Sequence, residues 1–432
     1  MTIAYHTLGC KVNQYDTEAM RELLESAGYE TVPFSAPADV YLINTCTVTG
    51  TGDRKSLQLA RRVRREHPGC LLVLCGCLAQ KEGEALLARA EADLVLGTAR
   101  RGEIADLLTR VQKEKTPLCA VGPLTAGIPF EPLSISRVSE HTRATVKIQE
   151  GCGNHCTYCI IPSVRGPVRS RSLPDLRREV ERLRDAGFSE IVLTGIHLAS
   201  YGRDLPDGQL TLIDALRTVH EVDGVQRIRL GSLEPVVSTE AFCAALSAMP
   251  KVCPQFHLAL QSGSDTVLAR MGRRYRVRDY LEAADRLRAV FPRAAFTTDI
   301  LTGFPGETEQ EFLETAAMIR RMGYARIHVF PFSPREGTPA ARMAGQLTAA
   351  EKERRARTLI RLGEDVSRAW LETWVNRTAL LLPEEKIQGC WEGYTPEYIR
   401  VTLPPDAECR SGKALEVKLT ALTDRGMSAI PV

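Results

Sequence analysis

The sequence has no long apolar run. Its longest, CLLVLCGCLA at residues 70–79, falls far short of the ~20 residues that a membrane-spanning helix needs. The opening MTIAYHTLGC lacks the basic start and apolar core of a secretory signal. The expected location is therefore the cytoplasm, with no membrane partner. Net charge is equally scarce, +3 from 56 basic and 53 acidic residues, too little for total charge to imply a nucleic-acid partner. Nothing points to disorder. With 44% hydrophobic residues among 432, the chain suffices for roughly two to four domains with cores of their own.

Cysteine, by contrast, is plentiful. Thirteen of them in a reducing compartment point toward metal or redox chemistry rather than a disulfide framework. Basic residues also gather locally, in ARRVRREH (60–67), RGPVRSRS (165–172), MGRRYRVR (271–278) and KERRARTLIR (352–361). Each run is either a phosphate cradle or a solvated helix face.

Residues 1–112 alternate short apolar runs (IAYHTL, VYLIN, LLVLC, DLVLG) with amphipathic stretches such as TEAMRELLESAG, the pattern of an open parallel α/β domain. Residues 113–140 lose the rhythm and read as a linker, with four prolines in KEKTPLCAVGPLTAGIPFEPLSIS. Over 141–370 the alternation returns for six rounds, from RATVKIQ to ARIHVFPF, predicting a partial (β/α)6 barrel of the TIM type. Residues 371–432 change to strand-like segments broken by turns, which predicts a small antiparallel β-barrel.

The stretch KIQEGCGNHCTYCIIPSVRG (147–166) places Cys152, Cys156 and Cys159 directly after the first barrel strand, with no fourth cysteine nearby. Zinc normally closes with four protein ligands. Ferredoxin-type iron–sulfur runs use four cysteines to cover every iron. Three thiolates leave one iron bare, free to chelate a small molecule through an amine and a carboxylate. Barrel chemistry sits at the carboxyl ends of the strands, where this triplet falls.

The C-x3-C-x2-C spacing, with Tyr158 before its last cysteine, resembles the radical S-adenosylmethionine superfamily. The resemblance implies a [4Fe-4S] cluster on Cys152, Cys156 and Cys159 that cleaves S-adenosylmethionine to a 5′-deoxyadenosyl radical. It also implies cofactor contacts from Tyr158 and from the later strand ends, at Ser232, Glu234, Gln261 and Asp299. Turn chemistry is the plain alternative for each of these last four.

Cys10, Cys46 and Cys77 each follow a predicted parallel strand of the first domain. In an open sheet those ends face one crevice, so three thiols converge there, again one short of covering four irons. Cys75 is a rival ligand. Cys70, Cys75, Cys119, Cys243, Cys253, Cys390 and Cys409 read as structural. Asn13, Asn44 and Asp16 are candidates to support the ligands, with helix capping the alternative for Asp16.

With the barrel, this combination resembles the methylthiotransferases across nearly the whole chain: a domain with an auxiliary cluster, a radical barrel, and a C-terminal RNA-binding domain called TRAM. The resemblance implies two [4Fe-4S] clusters, two S-adenosylmethionine molecules per turnover, and an external electron donor such as a flavodoxin or ferredoxin system. HLALQSGSDTVLARMGRRY, HVFPFSPREGTPA and GYTPEYIRV (393–401) look most like the bacterial branch acting on tRNA N6-threonylcarbamoyladenosine beside the anticodon. Arg165, Arg169, Arg171, Arg273 and Arg274 are the candidate RNA contacts. Branches acting on isopentenyladenosine or on a ribosomal-protein aspartate rank second and third. A non-catalytic iron–sulfur RNA-binding or electron-transfer protein is the alternative of a different class.

Overall fold

The computed structural model describes residues 1–136, 142–206 and 209–432. The last four linker residues (137–140) and the first of the assigned barrel (141) lie outside the described residues. No helix among the described residues is long and apolar enough to cross a membrane.

Near-continuous apolar runs make strands that are buried on both faces. The first domain is built on them: β1 (Thr2–Thr7), β2 (Glu30–Val32), β3 (Val40–Thr45), β4 (Leu71–Gly76), β5 (Leu94–Leu96) and β6 (Leu118–Ala120). They form one parallel sheet in the order β2-β1-β3-β4-β5-β6. Helices Lys11–Ser26 and Ile104–Glu114 cover one face through Met20, Leu24, Leu108 and Val111. Helices Gly50–Glu66, Cys77–Glu82 and Glu84–Ala90 cover the other. The strand order reverses between β1 and β3, which opens a crevice at their carboxyl ends. Two edge strands are absent from the sequence reading, and β6 lies inside the expected linker. Both are three residues long and only partly buried, too short to show a period.

The second domain has six parallel strands, β7 (Arg143–Glu150), β9 (Glu190–Gly195), β10 (Arg227–Leu230), β12 (Gln255–Leu258), β13 (Ala295–Thr302) and β14 (Arg326–Pro331). Two short additions are β8 (Arg169–Ser170), antiparallel to the end of β7, and β11 (Ser232–Leu233). The sheet runs β8-β7-β9-β10, then β11-β12-β13-β14, and an Ile228–Val252 bridge joins the halves. Ala144, Val146, Ile148, Ile191, Leu193, Ile228, Phe256, Leu258 and Ile300 pack outward under the crossover helices in a single core. Alternation then turns Arg143, Glu190, Arg229, His257 and Asp299 into the barrel.

Helix Ala349–Glu372 lies along β14; a Cβ at its Gly363 would collide with Ile327. It leads to a closed barrel of β15 (Thr378–Ile387), β16 (Cys390–Tyr394), β17 (Arg400–Thr402), β18 (Leu415–Thr423) and β19 (Gly426–Pro431), in the order β15-β16-β17-β19-β18. One pair departs from the expected antiparallel pattern: β17 and β19 are parallel, because β18 returns the chain between them in sequence. The 394–398 loop of this barrel plugs the amino end of the central one. Arg227 donates to Tyr394 O (3.0 Å) and Leu380 O (2.7 Å), and Arg229 to Pro396 O (2.8 Å). Arg143 and Arg229 lie over the Tyr398 ring, which stacks on Tyr394 at 4.6 Å.

Candidate cluster-binding sites

Cys46 and Cys77 follow the last residues of β3 and β4, and Cys10 lies three positions beyond β1. Three adjacent strands therefore deliver all three thiols to one crevice. Cys10 begins helix Lys11–Ser26 and Cys77 opens helix Cys77–Glu82. Gly9 makes room beside Cys46: a Cβ there would sit 3.2 Å from Cys46 Sγ. Gly76 has φ +90°, and a Cβ would collide with Asn44 Oδ1 and Thr45 O, so only glycine makes that turn into Cys77. Burial pushes the Cys77 thiol up to about 11 and outweighs Arg165, which lowers it, while Cys10 and Cys46 push it further.

Asn13 pins the loops around this trio, donating to Leu8 O (2.7 Å) and Thr45 O (3.1 Å), and Asn44 donates to Asn13 O (2.9 Å). Asp16 is not a cap. It is fully buried among Arg101, Lys147 and Arg165. Cys75 is excluded as a rival ligand, because its side chain packs into the core on one face of the sheet and its thiol meets Ile43 O.

The second trio sits on the loop after β7. Gly151, at φ +72°, passes so close to Pro167 O that a Cβ would overlap it. Thr157 anchors the loop to the 270–271 turn through its backbone and hydroxyl (both 2.9 Å). Arg273 donates to Cys156 Sγ (3.2 Å) and to Glu234 (2.8 Å). His197 Nε2 lies 2.8 Å from the other Glu234 oxygen, and Asn154 spans both. Burial raises the Glu234 pKa, but His197 and Arg273 outweigh it and hold the carboxyl near about 2. Burial, with Cys156 and Cys152 adding to it, pushes Cys159 up to about 12.

The other sequence-expected residues divide. Tyr158 packs its ring into an apolar cluster with Phe304 and Met271. Gln261 takes a left-handed φ of +69° at the barrel mouth and is tied to β13 by Gln261 N to Asp299 O (2.9 Å); that conformation is uncommon outside glycine. The Asp299 carboxylate turns to His257 (3.4 Å). Ser232 is exposed and opposite His257 in the strand register. Arg165, Arg169 and Arg171 are 0–2% exposed, which corrects the expectation that they touch RNA. Arg171 is consumed by Glu179 and Asp175, and Arg169 by Arg165 O. Arg273 is likewise spent on Glu234 and Cys156. Arg274 alone of the five is exposed. Other basic-run arginines are ion-paired, Arg64 with Asp93 and Arg355 with Glu307. The sequence reading missed Asn154 and His197, although His197 lies in the strand-end segment TGIHLASYG.

The trios are neighbours. Ile160 and Val164, just beyond Cys159, pack on Cys77. Arg335 reaches Thr47 (2.7 Å) and also Asp53. The first domain thus covers the carboxyl end of the barrel. Among the described residues, no three His, Cys, Asp or Glu side chains close round a single metal ion. The donor set instead suits a many-atom centre: three soft thiols in each trio, from three separate loops in the first and from one loop in the second, each trio with a guanidinium against one sulfur.

Residues 146–319 match the radical SAM superfamily, and residues 2–97 match uncharacterized protein family UPF0004. A radical S-adenosylmethionine methyltransferase, TsrM, from Kitasatospora setae shares the fold, with a TM-score of 0.58 at 13% identity over 79% of this chain and 77% of that one. These findings define a radical SAM fold beneath a parallel α/β cap. The chain is 40% identical over 97% of its length, and 93% of the relative's, to a threonylcarbamoyladenosine tRNA methylthiotransferase of Bacillus subtilis. It is 33% identical over 99% of its length, and 96% of the relative's, to the Thermotoga maritima protein of the same name. A tRNA-2-methylthio-N(6)-dimethylallyladenosine synthase of Frankia alni is 40% identical over a shorter span, 88% of this chain and 76% of that one. The chain belongs to the tRNA methylthiotransferase family, on the threonylcarbamoyladenosine branch.

Proposed function

We propose that this protein is the enzyme that adds a methylthio group to C2 of N6-threonylcarbamoyladenosine next to the anticodon of tRNA. One observation carries the reading: two trios of thiols, one beyond three neighbouring parallel strands and one beyond the first barrel strand, are linked across a domain interface by the segment from Cys159 to Arg165, which packs on Cys77. Cys10, Cys46 and Cys77 would hold one [4Fe-4S] cluster, and Cys152, Cys156 and Cys159 the other. When bound, the two centres and S-adenosylmethionine supply the methylated sulfur and the radical that an unactivated C–H bond requires.

The chain's own residues prepare that chemistry. Arg273 offsets thiolate charge at Cys156, and the ionised Glu234, with His197 and Asn154, fixes Arg273 in place. Ser232 on β11, Gln261 just beyond β12 and Asp299 on β13 would contact S-adenosylmethionine. The adenosine must leave its stack to enter, costing roughly a few kcal/mol, which contacts from Arg274 and the C-terminal barrel offset. An external electron donor of flavodoxin or ferredoxin type completes the system.

Nucleosides from tRNA of a strain lacking the gene test the reading by mass spectrometry. Loss of 2-methylthio-N6-threonylcarbamoyladenosine, restored by the wild type but by neither C77A nor C156A, is the expected result. Loss of the isopentenyl form instead would transfer the assignment to the dimethylallyladenosine branch.

A further inference from the structure

Arg165 has an unusual set of partners for a fully buried guanidinium. Its Nη1 donates to Asp16 (3.0 Å) and Glu150 (2.8 Å), its Nη2 to Asn13 Oδ1, and its Nε to Cys77 Sγ (3.2 Å). Asn13, Asp16 and Cys77 belong to the first domain, while Arg165 and Glu150 belong to the barrel. Arg165 also ends helix Ile161–Arg165, which starts two residues after Cys159. The same helix touches the first domain a second time, where Thr98 Oγ1 donates to Val164 O (2.8 Å). One short segment therefore begins at a cysteine of one trio and ends on a cysteine of the other.

Charge balance points the same way. The cluster around Arg165 contains the buried cations Arg101, Lys147, Arg165 and Arg169 against the buried carboxylates Asp16 and Glu150 and the partly buried Glu131. Four positive groups face three negative ones, and Arg169 Nε has no partner of its own. Buried charge is stable only when compensated. The surplus positive charge therefore lies beside the Cys77 sulfur, 3.2 Å from Arg165 Nε, where a ligand thiolate would meet it. A planar guanidinium is suited to this place because it spans carboxylates, an amide and a sulfur in three directions at once, which an ammonium group does not.

We propose that Arg165 is a positioning residue that sets both the electron affinity of the N-terminal centre and its placement relative to the barrel centre, by donating to the Cys77 sulfur from the segment that carries Cys159. Hydrogen bonds to ligand sulfur and nearby positive charge raise the reduction potential of iron–sulfur centres. Arg165 thereby keeps the N-terminal centre easier to reduce than its thiolate ligands alone would leave it. The inference rests on the assignment of Cys10, Cys46 and Cys77 as ligands.

The test is a potentiometric titration followed by electron paramagnetic resonance, in full-length protein whose Cys152, Cys156 and Cys159 are all alanine, so that only the N-terminal centre responds. R165M is expected to shift its potential downward, and R165K, which keeps the charge, to recover at least half of the shift. An R165M potential equal to that of the parent overturns the inference, as does an R165K shift as large as that of R165M. If R165M holds no iron, R165K decides: iron retained supports the charge role, and equal loss overturns it. Absence of iron from the parent protein itself would instead sink the ligand assignment.

Discussion

Replacing Asp16 by asparagine keeps the shape of the side chain and removes one negative charge from the domain interface. Asp16 is 1% exposed; its Oδ1 accepts from Lys147 (2.5 Å) and its Oδ2 from Arg165 (3.0 Å) and Arg101. After the change these three cations share only Glu150 and Glu131. Breaking a buried ion pair by removing one partner costs about 3–5 kcal/mol, because the orphaned charge stays buried. With a urea slope of about 3 kcal/mol/M, the midpoint should fall by roughly 1–2 M. Fluorescence and limited proteolysis across a urea series would measure it, with the transition that separates the first domain from the barrel moving most. Acid should imitate the substitution. Burial raises the Asp16 pKa, but Arg101, Lys147 and Arg165 outweigh it and leave the net below the ordinary 3.8. A carboxyl depressed in the folded state stabilises above its unfolded pKa, and that contribution fades as pH drops through the folded value. The wild type should therefore lose stability below about pH 4 more steeply than D16N does. A midpoint change worth less than about 1 kcal/mol would refute the reasoning, since it would mean that the interface takes in water or repacks to neutralise its cations.

Three further outcomes are expected. Glu234, held near about 2 against an ordinary 4.5, should contribute stability that is complete above pH 4.5 and disappears toward pH 2; E234Q should flatten the melting-temperature profile in that window, and an unchanged profile would deny the carboxylate its role. G76A should destabilise the turn into Cys77 by at least about 1–3 kcal/mol and lower iron content at the N-terminal centre, measured by iron analysis after anaerobic reconstitution. In metal-free protein, iodoacetamide should label exposed Cys10 ahead of buried Cys77, and mass spectrometry of timed digests would show the reverse if the crevice were open.

Periodicity made the large elements legible. Six barrel strands, the four strands β1, β3, β4 and β5 of the first sheet and the change to turn-broken strands near residue 372 all follow from runs such as LLVLC and QFHLAL, whose pattern is set by burial on one face or both. The edge strands β2 and β6 left no such trace. Cysteine positions were legible because a strand end is fixed by its own apolar run. The arginines were not: RGPVRSRS reads as a surface phosphate cradle, yet all three of its arginines are buried, Arg165 with Asp16 and Glu150, Arg171 with Glu179 and Asp175, and Arg169 against Arg165 O. Charge pairing over 149 positions, as between Arg165 and Asp16, leaves no local signal. The same limit hid His197, whose partner Glu234 lies on a different strand end.

The stacked Tyr394 and Tyr398, wedged against Arg143, Arg227 and Arg229, make the C-terminal module part of the reaction vessel as well as an appendage to it. Cutting the chain after residue 372 would not be a clean amputation. It would strip carbonyl acceptors from two almost fully enclosed guanidinium groups and unstopper the base of the vessel, so that water could flood in from below. Any truncated enzyme would then be handicapped in its chemistry as well as in its grip on RNA, and the two deficits would have to be told apart with a free nucleoside as substrate.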